Sequence, residues 1–150
     1  MNEFASIKEK NMTRIITYGT FDLLHFGHVA LYTRAKQLGD YLIVGCSTDS
    51  FNDAKGKVAF ESYEKRKEKI ESTGLIDRVI PEESWEQKIP DIIKYDVDIF
   101  VMGSDWKGKF DHLNNFCNVI YLPRTPNISS TYLRDLQINS KYSHRIHDAL

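Results

Sequence analysis

Two imidazoles three residues apart, His25 and His28, are separated by Phe26-Gly27 and follow the run Arg14 to Asp22. That run reads as a strand opening into a glycine-punctuated turn, so the histidines fall where the next helix should begin. Positions i and i+3 of a helix share a face. A helix N-terminus adds free backbone N–H groups and the positive end of a dipole. The outcome is a cationic, donor-rich cup at the carboxyl end of a strand, suited to the phosphates of a nucleotide. Two plainer readings compete: a capping or core imidazole with an exposed partner, and a metal pair, for which no third soft ligand lies nearby in sequence.

Other cationic and hydroxylic groups could serve the same anion. Lys55 and Lys57 flank Gly56, either as a solvated loop or as a cationic flap over a polyphosphate. Hydroxyls at Ser129, Ser130 and Thr131 sit at the expected start of a last helix, where they would cap it. With the free helix N–H groups and Arg124 they would also form an anion site. In Gly103-Ser104-Asp105-Trp106, Asp105 is placed to accept from a ribose hydroxyl or base amine and Trp106 to pack on a base; a capping aspartate is the alternative. Trp85 and Lys88, one helical turn apart, read by themselves as core and surface, and Arg66 and Lys67 as surface charge.

The elements that must position these groups follow from periodicity and punctuation. After the first strand comes a helix over residues 29–38, stopped by Gly39. A strand over 41–47 precedes an irregular stretch over 51–60. A charged helix over 62–73 is capped by Ser62, and a short strand covers 78–80. Next comes a helix over 85–95, capped by Ser84 and kinked at Pro90. Strands over 99–103 and 119–122 lead to the last helix, 129–136. This alternation predicts an α/β fold with a doubly wound, mostly parallel sheet and helices on both faces. Residues 14–136 form the domain, between tails at 1–13 and 137–150. Every candidate residue falls just after a strand, at the end where such sheets bind ligands.

Length and composition narrow the classes of partner. A chain of 150 residues is long enough for one domain with a sizeable core. A net charge of −1 and the lack of any block of five like charges argue against nucleic acid or an anionic membrane as partner. No apolar run approaches the ~20 residues of a membrane span, and the first residues lack a signal-peptide core, so a cytoplasmic protein without membrane insertion is expected. Cys46 and Cys117, both in apolar runs, read as reduced thiols near the core.

Taken in order, Gly19-Thr20-Phe21-Asp22, His25-Phe26-Gly27-His28 and Ile128-Ser129-Ser130-Thr131 resemble the cytidylyltransferase family of the HxGH nucleotidyltransferase superfamily. Within it, residues 14–136 look most similar to the bacterial glycerol-3-phosphate cytidylyltransferases. The resemblance implies a Rossmann-like fold and transfer of CMP from CTP to a small phosphorylated acceptor, with release of pyrophosphate, for cell-surface polymer synthesis. It implies Mg2+ and a homodimer. It assigns catalysis to His25, His28 and Lys57, and CTP contacts to Thr20, Phe21, His25, His28, Lys57, Arg124, Thr125, Ser129, Ser130 and Thr131. Lys55 and Lys88 match acceptor-phosphate positions, and Asp22 matches a position tied to the metal.

The chain departs from the family in three informative places, one of them Pro126-Asn127 before Ile128, where the family has an acidic residue and glycine. Gly74 occupies an arginine position, leaving Arg78 or Arg66 to take over, and Ser104 replaces a carboxylate. The acceptor therefore stays open between glycerol 3-phosphate, another polyol phosphate, phosphoethanolamine, phosphocholine and the phosphoglutamine of capsule modification. An ATP-dependent adenylyltransferase and a nucleotide-binding domain without turnover are the rival readings.

Overall fold

In a computed structural model, which describes residues 12–124, five strands form one parallel sheet in the order β3-β2-β1-β4-β5. The strands are β1 (Arg14–Gly19), β2 (Tyr41–Ser47), β3 (Arg78–Glu82), β4 (Ile99–Gly103) and β5 (Asn118–Leu122). The helices are α1 (Phe26–Lys36), α2 (Asp49–Ala54), α3 (Tyr63–Ser72) and α4 (Lys88–Lys94), with 3-10 turns at Ser104–Trp106 and Asp111–Asn115. The expected helix over 129–136 and residues Thr125, Ser129, Ser130 and Thr131 lie outside the described residues, as do both tails apart from Met12 and Thr13.

The core explains why the strand sequences are almost continuously apolar: both faces are covered. On one face Ile15, Leu42, Val44 and Val101 pack with Tyr32 and Ala35 of α1 and Ile70 of α3. On the other, Ile16, Tyr18, Ile43, Phe100 and Met102 pack with Ile92 of α4 and with Phe110 and Leu113. Cys46 belongs to the first layer and Cys117 borders the second; both thiols are free. No helix among the described residues is long and apolar enough to cross a membrane.

Three local expectations are corrected. The stretch after β2 is not irregular at its start: Thr48 Oγ1 accepts from Phe51 N at 3.2 Å and caps α2. At six residues, this helix is too short to show apolar periodicity. Helix α4 begins at Lys88 rather than Trp85, and Ser84 does not cap it. The Gln87 side chain instead accepts from Glu83 N and Ser84 N and donates to Pro81 O, closing a turn before the helix. Pro90 then falls in the first turn, where a missing N–H costs no intrahelical bond.

Candidate active site

The sheet builds a crevice through one short ladder. Strands β1 and β2 pair over six residues, but β1 and β4 pair only at Ile15–Ile99 and Ile16–Phe100. Beyond that point the two strands are no longer bonded, and a cavity of about 520 Å³ opens between their carboxyl ends. This is the switch in strand order, where open α/β sheets place ligands. Thr17 to Phe21, His28, Lys55, Lys57, Glu82, Trp85, Lys88, Asp105 and Trp106 are among its lining residues.

The two histidines form the start of α1 with their own rings. His25 is the N-cap: its Nδ1 accepts from Gly27 N at 3.0 Å. His28 Nδ1 accepts in return from His25 N at 3.3 Å, a capping box made of imidazoles. The rings stack with centroids 3.8 Å apart. With Nδ1 an acceptor, each ring carries a hydrogen on Nε2. Burial, then the neighbouring charges of His25 and Lys57, pull His28 down to about 3, so it is neutral near pH 7.

Behind His28 stands a strained turn. Phe21 (φ 53°) and Leu23 (φ 49°) both occupy the left-handed region, at about 1–2 kcal/mol each. Phe21 folds its buried ring back over Gly19, where any Cβ would sit 2.8 Å from the ring. There the ring meets His28 and Tyr32 edge-on at 5.4 and 5.2 Å. Asp22 does not line the cavity. Its carboxylate accepts from Phe60 N at 2.8 Å and Glu61 N at 3.0 Å, while Glu61 Oε1 accepts from Leu23 N at 3.0 Å. This reciprocal clamp ties the turn to the loop that carries Lys57. Replacing Asp22 with alanine should therefore free that loop. At about 0.5–1.5 kcal/mol for each of two hydrogen bonds, the loop loses about 1–3 kcal/mol of its tie to the turn. Hydrogen exchange at the amides of 60 and 61 should quicken; unchanged exchange there contradicts the clamp.

On the far side of the crevice, two lysines meet an acid and a row of rings. Lys88, read as surface, is buried, whereas Trp85, read as core, is about half exposed. Lys88 Nζ donates to Glu82 Oε2 at 2.7 Å and lies 4.7 to 5.6 Å from the ring centres of Tyr18, Trp85 and Phe110. Glu82 Oε1 accepts from Ser47 Oγ at 2.7 Å, and Lys55 Nζ donates to the same Ser47 Oγ at 3.2 Å. Lys55 also lies 4.3 Å from the centre of the Phe51 ring. Sequence reasoning missed Glu82 and Ser47. The available signal was a charged residue closing the apolar run of β3, six positions before Lys88.

The remaining candidates divide. Asp105 sits in a 3-10 turn, makes no capping bond and pairs with Arg124 at 2.6 Å at the exposed mouth. Trp106 packs on Phe110 and Trp85 with centroids 5.5 and 6.3 Å apart. Gly74 (φ 74°) follows the C-cap of α3, and a Cβ added there would meet nothing within 4 Å. It is a helix stop away from the cavity. Arg78 is exposed on β3 over the Tyr95 ring and does not line the cavity. Arg66 is fully buried, contrary to its reading as surface charge. Among the described residues, no group of three or more His, Cys, Asp or Glu could hold a metal ion.

Residues 16–136 match the model of the cytidylyltransferase-like family. The chain is 60% identical over 123 residues to the glycerol-3-phosphate cytidylyltransferase of Bacillus spizizenii, covering 82% of this chain and 95% of the relative. It is 55% identical over 123 residues to the protein of the same name from Staphylococcus aureus, covering 82% of this chain and 93% of the relative. Among solved structures, a lipopolysaccharide core biosynthesis protein from Thermoplasma volcanium superimposes with a TM-score of 0.65 at 26% identity, covering 76% of this chain and 97% of that one. The Rossmann-like expectation holds, and within the described residues the sheet is wholly parallel.

Proposed function

The chain belongs to the cytidylyltransferase-like family, and from that membership we infer that it is an enzyme transferring CMP from CTP to glycerol 3-phosphate, with release of pyrophosphate. The observation that carries this reading is identity of 55–60% along nearly the whole length of relatives bearing that name. Gly74 lies outside the cavity, and the lysines and histidines expected to meet phosphates all belong to the turn and crevice described above. The departure at Gly74 therefore gives no reason to prefer another acceptor.

The chemistry suits the groups present. An oxygen of the acceptor phosphate attacks the α-phosphorus of CTP; the new P–O bond forms as the bond to the β-phosphate breaks, and pyrophosphate leaves. A phosphate dianion is itself the nucleophile, so no general base is required. Catalysis is then positioning and electrostatic stabilisation. The Nε2–H groups of His25 and His28 donate to phosphate oxygens on which charge redistributes. Lys57, held by the Asp22 clamp, neutralises the leaving pyrophosphate. Lys55 and Lys88, across the crevice, hold the acceptor phosphate. The donor set fits Mg2+ only as an ion carried mainly by phosphate oxygens, with Asp105 the exposed carboxylate at the cavity mouth; such an ion would neutralise charge on the triphosphate. A cytoplasmic homodimer is the setting this reading carries.

Incubation with CTP, Mg2+ and a panel of acceptors tests it. Pyrophosphate release should be fastest with glycerol 3-phosphate, and slower with other polyol phosphates, phosphoethanolamine, phosphocholine and phosphoglutamine. Release with none of them overturns the catalytic reading. Faster release when ATP replaces CTP makes the protein an adenylyltransferase.

A further inference from the structure

A buried acid in a phosphate-binding cavity calls for a physical account. Glu82 is 3% exposed, lines the same cavity as the lysines and repels any phosphate that enters. Nor is stability a sufficient reason for its presence, because a buried ion pair adds little over an apolar pair of the same shape. What its carboxylate does is geometric. One oxygen takes Lys88 at 2.7 Å; the other takes Ser47, whose hydroxyl oxygen accepts from Lys55 at 3.2 Å.

We propose that Glu82 is a positioning residue for the acceptor phosphate, its one carboxylate holding Lys88 directly and Lys55 through Ser47 so that both ammonium groups face one subsite. This rests on the reading above, in which those lysines hold the acceptor. The arrangement spans β3, β2, α4 and the end of α2, so no single element could place both cations. The Tyr18, Trp85 and Phe110 rings around Lys88, and Phe51 under Lys55, give the cations apolar walls and leave the carboxylate as the anion that orders them. Charge supports the geometry. Burial lowers Lys55 below the usual lysine value; Glu82 opposes this, while Lys57, Lys88 and Arg66 add to it. Among the described residues, Cys46 and Tyr18 also feel Glu82; both are shifted upward, chiefly by burial, and stay neutral near pH 7.

The test is steady-state kinetics on Glu82→Gln, which keeps shape and loses charge, with KM measured separately for acceptor and CTP. The KM for glycerol 3-phosphate should rise about tenfold, and more as pH increases, because Lys55 loses the charge that opposes the downward pull of burial on it. The KM for CTP should stay within about twofold, and the alkaline limb of kcat/KM for the acceptor should move to lower pH. Glu82→Asp should recover part of the loss. Ser47→Ala, which cuts only the link to Lys55, should show a smaller rise for the acceptor alone and decides the matter if Glu82→Gln does not fold. Unchanged acceptor KM and pH limb, or an equal rise in both KM values with a lowered melting temperature, overturns the proposal. Lys55→Met separates this from the reading beneath it: if that variant raises the KM for CTP instead of the acceptor, the lysines serve the nucleotide and the acceptor assignment itself falls.

Discussion

Replacing His28 with alanine is expected to lower kcat by about 10²–10³, the usual cost of removing one donor aimed at developing charge. The structure makes this expectation specific. The ring is neutral, its Nδ1 is occupied by the backbone N–H of His25, and only Nε2–H is left as a donor. Alanine removes that donor together with half of the imidazole capping box, so the His25 ring, stacked at 3.8 Å, loses its support. Because the interaction strengthens as charge redistributes, kcat should fall more than the affinity for CTP. Unchanged turnover in this variant would remove the histidine turn from the mechanism.

The same residue sets a pH dependence whose sign can be worked out. His28 titrates near 6.5 when unfolded and near 3 when folded. Between those values the unfolded chain binds the proton and the folded chain does not, so stability falls as pH drops below about 6.5, by up to about 1.4 kcal/mol per pH unit. Other groups titrate over the same range, so the informative quantity is the difference from His28→Gln, whose urea midpoint should fall less steeply between about pH 6 and 4. A parallel decline in both proteins would show that burial does not suppress the charge on His28. The proposed mechanism uses His28 as a neutral donor, so the acid limb of the rate profile should not be set by this ring.

How much of this was legible in the sequence depends on whether the signal was local. Strands buried on both faces announce themselves as continuous apolar runs, and β2 and β4 fell at the expected residues. The start of α1 was displaced because an imidazole cap lies outside the usual Ser, Thr, Asp and Asn signature. Trp85 and Lys88 exchanged their expected places for a non-local reason. A long cation belongs at the surface unless a distant group pairs it, and Glu82 was not visible as that group. Asp22 was matched to a metal position, while its carboxylate is engaged by amides 38 and 39 residues further along the chain. Helix α3 shows the same limit in the run Glu64-Lys65-Arg66-Lys67-Glu68. Nothing in the run itself says which cation turns inward, although the buried Ile70, four residues after Arg66 and so on its face, carried that information.

Replacement of Arg66 with methionine should therefore cost about 3–5 kcal/mol, the range for breaking a buried charged network. The guanidinium donates to Thr20 O at 2.9 Å, Ser47 O at 2.6 Å and Glu61 O at 3.0 Å, tying the ends of β1 and β2 to the entrance of α3. Its ion pair with Asp49, at 2.8 Å, is the lesser part, because the Asp49 side chain is 56% exposed and its charge is screened by water. The two buried carbonyls, Thr20 O and Ser47 O, decide the magnitude: a buried acceptor that loses its guanidinium donor costs about 1–3 kcal/mol, and the partly buried Glu61 O adds less. Lysine does not rescue the site, because a single ammonium cannot reproduce a planar fork that serves three carbonyls from separate elements. Both Arg66→Met and Arg66→Lys should lower the melting temperature by roughly 10 °C or more; a loss under about 1 kcal/mol in urea titration would contradict the assignment. The damage should extend to nucleotide affinity in the fraction that stays folded. Thr20 O and Ser47 O fix the backbone on which the Thr20 side chain, the His25–His28 turn and the Glu82 partner Ser47 all depend, so this arginine supports both halves of the crevice although it does not line the cavity.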